Sequence, residues 1–186
     1  NEKVIIIDGF GGTMWNTFRE KLHTELNLKN KTIFWYSVDT CLKPAKEIQD
    51  MIAGSLNGED PVFGKKYTGN LIDFFDEKKL KLITPDPDVD ICIIYGTGAA
   101  LTGITGKLLY ADVPKNELQY RMRAGAVTNL GTDEIFENSQ AYKRFYFVDW
   151  PVLNKHKEQL LPIIDCIIDE QRIEEITWMY GHSFRS

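Results

Sequence analysis

Val4-Ile5-Ile6-Ile7-Asp8-Gly9-Phe10-Gly11-Gly12-Thr13-Met14-Trp15-Asn16-Thr17 decides how the chain folds. Val4–Ile7 is a continuous β-branched run, the pattern of a strand buried on both faces of a parallel sheet. Gly9, Gly11 and Gly12 interrupt it. Met14, Phe18, Leu22 and Leu26 then recur at four-residue spacing and form one apolar helical stripe. Thr13 stands where an N-cap belongs. A strand that passes through a glycine turn into a helix points the first helical N–H groups at whatever occupies the turn.

Outward from this unit the alternation continues. Thr32–Val38 reads as a second strand ended by Asp39. Pro44 opens a helix through Ile48, Met51 and Ile52, closed by Gly54 or by Asn57-Gly58. A polar loop, Asp60–Gly69, leads to a predicted helix over Leu71–Leu82 and a rigid turn at Thr84-Pro85-Asp86-Pro87-Asp88. Val89–Tyr95 is a third strand running into Gly96-Thr97-Gly98. Leu108–Val113 is a fourth, followed from Pro114 by a helix carrying Arg121 and Arg123. Gly125–Gln140 is expected to be irregular and mobile, and Phe145–Val148 a fifth strand or a loop. Val152–Leu161 reads as a helix and Ile163–Ile168 as the last strand-like run. Alternating strands and helices imply one three-layer α/β/α domain over residues 1–186, with a mostly parallel sheet. Sites in such sheets gather at the carboxyl ends of strands, here Gly9–Gly12, Asp39, Gly96–Gly98 and Asp112.

Hydrophobic content of 43% and charged content of 26% suit a globular protein, and a net charge of −5 argues against a broad nucleic-acid or anionic-membrane surface. No apolar run approaches the roughly 20 residues that cross a bilayer, and Val4–Ile7 is too short for a signal-peptide core. The expected location is cytoplasmic. Cys41, Cys92 and Cys166, odd in number and set in or beside apolar segments, read as free buried thiols of a reducing compartment. His23, His156 and His182 lack metal-ligand spacing, so no metal site is expected from this chain. Lys155-His156-Lys157 reads as an exposed helix face. The start at Asn1 and the late aromatic stretch Trp178-Met179-Tyr180, with Phe184, fit excision or processing from a longer polypeptide. Those aromatics would dock on the core or on a further domain.

In a P-loop, G-x-x-x-x-G-K-[ST], backbone N–H groups of small residues converge on phosphate oxygens. Aligned from Gly9, this chain has Met14 for the second glycine, Trp15 for the lysine and Asn16 for the magnesium-binding hydroxyl. The turn has two readings: an anion cradle made by Gly9, Gly11, Gly12 and Thr13, or a tight connection that holds no ligand. Trp15 reads as core or pocket wall, or as a platform for a base or sugar.

On these residues the chain resembles the uridine-kinase-like branch of P-loop kinases, whose loop often begins Asp-Gly-Phe-Gly-Gly. The resemblance implies that Asp39 holds the position of the acid that accepts a proton from the substrate hydroxyl. It places Asp112, Arg121 and Arg123 in a strand–Asp–helix segment leading to an arginine-bearing lid, and Leu160–Asp169 at the final strand. Ile91–Gly96 takes the place of a strand that carries an acid, which Tyr95 and Gly96 do not supply. Four segments, Gly9–Gly12, Asp60–Gly64, Tyr120–Gly125 and Phe147–Lys157, further resemble an N-terminal region of some bacterial class I mannose-6-phosphate isomerase-like proteins. There the region precedes a zinc-dependent cupin. That resemblance implies a downstream cupin domain, which would carry the isomerase chemistry.

The expected site therefore comprises Asp39, as general base or as a turn carboxylate beside Thr40, and a phosphate-binding set of Gly9, Gly11, Gly12, Thr13, Arg121 and Arg123. The two arginines are two positions apart and diverge by roughly 200° on a straight helix, so at most one reaches a given phosphate. The expected ligand is a phosphorylated small molecule or a nucleotide with magnesium. Loss of the lysine, the hydroxyl and the acid together predicts a degenerate Walker A loop that binds weakly without efficient phosphoryl transfer. Two alternatives stand beside it: an active nucleoside or sugar kinase that recruits Lys65, Lys66, Lys107 or Lys115, and a structural or interaction domain with no ligand.

Overall fold

The computed structural model describes residues 3–58, 60 and 62–186; Asn1 and Pro61 of the segments named above lie outside them. Strand β1 (Val4–Gly9) runs through the glycine turn into α1 (Trp15–Asn27). Then follow β2 (Ile33–Ser37), a 3-10 turn (Val38–Cys41), α2 (Ala45–Leu56), α3 (Glu77–Leu82) and β3 (Ile91–Tyr95). After β4 (Lys107–Asp112) come α4 (Lys115–Arg123), α5 (Asn138–Arg144), α6 (Trp150–Leu160), β5 (Cys166–Asp169), β6 (Thr177–Tyr180) and the short α7 (Gly181–Arg185). The strands form one six-stranded sheet in the order β2-β3-β1-β4-β5-β6, parallel except for β6.

Strand alternation splits the core in two. Ile6, Ile94, Leu108 and Tyr110 face α2, α4 and α6 through Ile48, Ile52, Leu118, Val152 and Leu153. Ile7, Ile93, Tyr95 and Ile168 face α1 through Phe18, with Leu22 and Leu26 behind it. Both faces of β1 are covered, which accounts for its unbroken apolar run. The result is the expected three-layer α/β/α architecture. With β1, the glycine turn and α1 at the centre and the order β2-β3-β1-β4-β5, it is P-loop kinase-like. Among the described residues α1 is the helix that packs on its face, and an apolar groove of about 440 Å³ stays open between α1 and the β4–β6 side, lined in part by Leu22, Ile168 and Trp178.

The predicted helix over Leu71–Leu82 is two pieces. A 3-10 turn, Leu71–Phe74, ends where Phe75 bridges to Leu42, and Asp76 then caps α3 by accepting the N–H groups of Lys78 and Lys79. Phe145–Val148 is neither strand nor loop. It lies in a π-helical turn, Phe145–Asp149, that joins α5 to α6. Strand β6 and α7, unanticipated, follow a charged turn, and the side chains of Trp178, Met179, Tyr180 and Phe184 are exposed. All three cysteines are free, Cys41 and Cys92 buried and Cys166 partly so. Among the described residues no helix is long and apolar enough to cross a membrane.

Candidate functional site

The glycines of the turn answer first to packing. A Cβ on Gly9 would stand 2.8 Å from Ala111 O and 2.9 Å from the Trp15 ring, and one on Gly12, at φ +89°, would collide with Leu118 of α4. Helix and strand thus press on the turn from both sides, and only glycine admits that approach.

Backbone donors show what remains for a ligand. Gly9 donates to Asp8 Oδ1 (2.7 Å), Phe10 to Ala111 O (2.8 Å) and Trp15 to Thr13 O (3.0 Å). Thr13 donates weakly to Phe10 O at 3.4 Å, and Met14 to Glu170 Oε1 at 3.3 Å. Among the described residues, the N–H groups of Gly11, Gly12, Asn16 and Thr17 have no protein acceptor. Thr13 does not cap α1: the N-cap position falls on Met14, no side chain accepts from the first turn, and the Thr13 hydroxyl donates to Phe10 O at 2.9 Å.

A cleft of about 430 Å³ opens beside the turn at the carboxyl edge of the sheet. Gly11, Gly12, Thr13 and Trp15 form one wall, and Asp39 and Thr97 project from the ends of β2 and β3. Lys43 and the irregular segment Thr128–Asp133 close the far side, with Asp149 at its base. That segment is pinned: Asn129 Nδ2 donates to Asp149 Oδ2 (2.6 Å) and to Ala141 O (3.1 Å), and Arg144 donates to Leu130 O. The cleft lies at the switch point of the sheet, between β1 and β3, where doubly wound folds bind ligands.

Trp15 stands beside the turn on the cleft wall. Its ring lies against Gly9 and packs edge-on to Phe18 and tilted to Tyr95, while Nε1 donates to Thr97 Oγ1 at 3.3 Å. Asp39 is solvent-exposed on the cleft wall, yet the surrounding protein displaces water from its carboxyl and raises it from the ordinary aspartate value, with the charge of Asp133 adding to the rise and the Ser37 hydrogen bond opposing it.

Arg121 is buried and engaged inside the protein. It donates to Glu170 Oε2 (2.5 Å), Glu117 Oε1 (2.9 Å), Gly12 O (2.8 Å) and Glu170 O (2.7 Å). Arg123, exposed on the opposite side of α4, lies outside the cleft lining. Of the predicted set, Asp39, Gly11, Gly12 and Thr13 meet at the cleft. Gly9 sits beneath it, and the two arginines lie elsewhere.

Sequence reasoning passed over Glu170, fully buried, whose carboxyl is raised by burial and lowered in part by Arg121. It supplies an internal carboxylate to the Met14 N–H at the start of α1. Asp8 and His156 were missed as well. Asp8 Oδ1 accepts the N–H of Gly98, Oδ2 accepts that of Ala100, and Oδ2 lies 2.8 Å from His156 Nε2. The expectation of an exposed Lys155-His156-Lys157 face fails for this reason: His156 is 4% exposed, and Lys157 pairs with Asp112 at 2.6 Å. The signal was present, since Leu153, His156 and Leu160 share one helical stripe. Among the described residues no group of three or more His, Cys, Asp or Glu could hold a metal ion.

No curated protein matches the sequence. Among solved structures, a shikimate kinase from Bacteroides thetaiotaomicron aligns over 92% of this chain and 89% of its own, at 14% identity and a TM-score of 0.44. The YGR205w protein aligns over 96% and 90%, at 10% identity and a TM-score of 0.50. The second likeness supports the fold, and the fold alone. One family profile matches residues 1–186, and the chain belongs to that family, described as Domain of unknown function (DUF8485).

Proposed function

We propose that this chain is a kinase-fold binding domain whose cleft takes a phosphorylated small molecule or a nucleotide, weakly and without efficient phosphoryl transfer. The observation that carries this reading is the pair of unsatisfied N–H groups on Gly11 and Gly12, on the cleft wall that Asp39 also lines. The helix α1 N–H groups of Asn16 and Thr17 add donors beside them. Against turnover stand the Trp15 ring in the lysine position and the use of the Met14 N–H by Glu170. Removing one such electrostatic group from a transfer site commonly lowers rate by about a hundredfold or more.

A working kinase is the second reading, and Lys43 is the residue that favours it. Lys43 lines the cleft, whereas Lys65, Lys66, Lys107 and Lys115 do not, and Lys107 pairs with Asp165 at 3.3 Å. The role beside a downstream cupin rests on the sequence segments alone. Thermal unfolding with ATP, ADP and sugar phosphates tests binding, because a ligand that prefers the folded state raises Tm by mass action. The expected outcome is a rise in Tm at millimolar ligand, with no magnesium-dependent ATP consumption in the presence of nucleosides or sugars. Steady ATP turnover would replace this reading with the kinase.

A further inference from the structure

We propose that the free edge of β6 pairs with the same edge of a second copy of this chain, antiparallel across a two-fold axis at Met179, so that two six-stranded sheets become one. β6 ends the sheet, and Thr177, Trp178, Met179 and Tyr180 are all exposed, whereas β2 at the other edge exposes only Phe34. A sheet edge offers unpaired N–H and C=O groups, and native proteins blunt it with charges, prolines or bulges. β6 carries none of these, and its register on β5 runs unbroken from Thr177 to Tyr180. The helix that follows leaves the edge open: α7 turns back under β5, with Gly181 donating to Asp165 O and Arg185 to Leu161 O and Ile164 O.

The bonds on the inner side decide which backbone groups face outward. Glu170 donates to Asp112 O of β4, so the even-numbered residues of β5 face β4, and Ile167 and Asp169 face β6. Their partners are Met179 and Thr177. Gly181, bonded to Asp165 O, continues the same alternation. The N–H and C=O groups of Trp178 and Tyr180 therefore point away from the sheet.

This edge is complementary to itself. A two-fold axis normal to the sheet keeps like faces together, and with Met179 on the axis each Trp178 lies opposite Tyr180 of the second copy. These are the residues with free backbone groups, so each such pair exchanges both of its hydrogen bonds. Trp178 and Tyr180 stand on the α1 face with Ile168 and Cys166, their partners on β5, and their rings already meet edge-on at 5.1 Å. Aromatic pairs across strands add to a ladder. The apolar groove opens on that same face with Trp178 in its lining, and pairing sets the second copy's Tyr180 against it.

Charge favours the same orientation. The turn before β6 carries Glu174 and Glu175, both exposed and paired with Lys21 and Arg172. The segment after β6 carries His182 and Arg185, exposed and, among the described residues, without a carboxylate partner. Antiparallel pairing lays the acidic end of each copy along the basic end of the other, whereas a parallel partner would set acid beside acid. The cleft lies three strands away, at β1, and stays open.

Sedimentation velocity of the full chain over about 1–200 µM tests this, and a shift from the mass of one chain to that of two is expected. Met179→Lys sets like charges face to face on the axis and should hold the protein at the single mass over that range, with circular dichroism showing that it is folded. In a Cys166→Ser background, Met179→Cys should cross-link under mild oxidation, because residues meeting on the axis stand about 4.5 Å apart at Cα. Thr177→Cys, more than about 13 Å from its counterpart, should not. The mass of one chain throughout the range overturns the inference and leaves the edge to a different partner. A dimer unaffected by Met179→Lys overturns it as well, being built on another surface, and so does cross-linking through Thr177→Cys in place of Met179→Cys.

Discussion

Arg121 and Arg123 separate a brace from a ligand contact. Arg121 neutralises Glu170, a fully buried carboxylate, and ties α4 to the glycine turn through Gly12 O. Arg121→Ala should lower stability by about 3–5 kcal/mol, because it leaves that charge buried without a partner. Arg123→Ala, on an exposed side chain, should stay within about 0.5 kcal/mol. Urea midpoints of the two variants check this; an unchanged midpoint in Arg121→Ala would return the residue to the phosphate-binding set. The sequence reading correctly had the two arginines diverge, because helical spacing alone decides that. It could not choose between them, because the deciding partner, Glu170, lies 49 positions further on. Asp8 and His156 were illegible for the same reason, being 148 positions apart and joined only by the tertiary fold.

At the scale of elements, the strand–turn–helix unit was legible because its signals are local: an apolar run, glycines, then a four-residue repeat. The break at Phe75-Asp76 was not, since the apolar spacing runs through it and a tertiary bridge to Leu42 ends the first piece. Phe145–Val148 misled because an aromatic, β-branched run has strand composition, while α5 and α6 extend helical geometry into it from both sides. The turn itself gives a prediction. Gly12 combines φ +89° with a Cβ position already occupied by Leu118. Gly12→Ala should therefore cost about 2–4 kcal/mol, from backbone strain and overpacking together. Leu118→Ala, which itself costs about 2–5 kcal/mol, should relieve only the overpacking. The double variant should fall short of the sum of the two by about 0.5–3 kcal/mol in a denaturation cycle. Strict additivity would mean that Leu118 moves aside freely and that strain at φ is the whole effect.

Across the molecule, the carboxyls with raised affinity for protons are Asp39 and Asp149 at the cleft and Glu170 beneath the turn; burial is the first cause for Asp149 and Glu170, and for the exposed Asp39 it is the water displaced by the protein around it. Asp60 and Asp90 move the other way, lowered by backbone N–H bonds from Phe63 and Thr32. The signs oppose. A carboxyl raised in the fold holds its proton more tightly there than in the unfolded chain, so its contribution to stability is present below the unfolded value and is lost as pH rises through the folded one. A lowered carboxyl contributes above the unfolded value and loses that contribution as pH falls. Glu170 is offset by Arg121 and Asp149 by Arg144, whereas Asp39 on the cleft wall has no ion-pair partner among the described residues. Asp39→Asn isolates this, because it removes a charge from the cleft wall without leaving a buried donor unpaired. At neutral pH the variant should melt at a higher temperature than the parent. The gain should stay below about 1 kcal/mol, since solvent on the cleft side screens the carboxylate. As pH falls through the raised value toward 3.8, the ordinary aspartate value, Asp39 becomes protonated in the parent as well and the two melting curves should converge. A difference in Tm that persists below that pH would have to come from packing or hydrogen bonding. No difference at any pH would mean that Asp39 is fully solvated and does not feel Asp133.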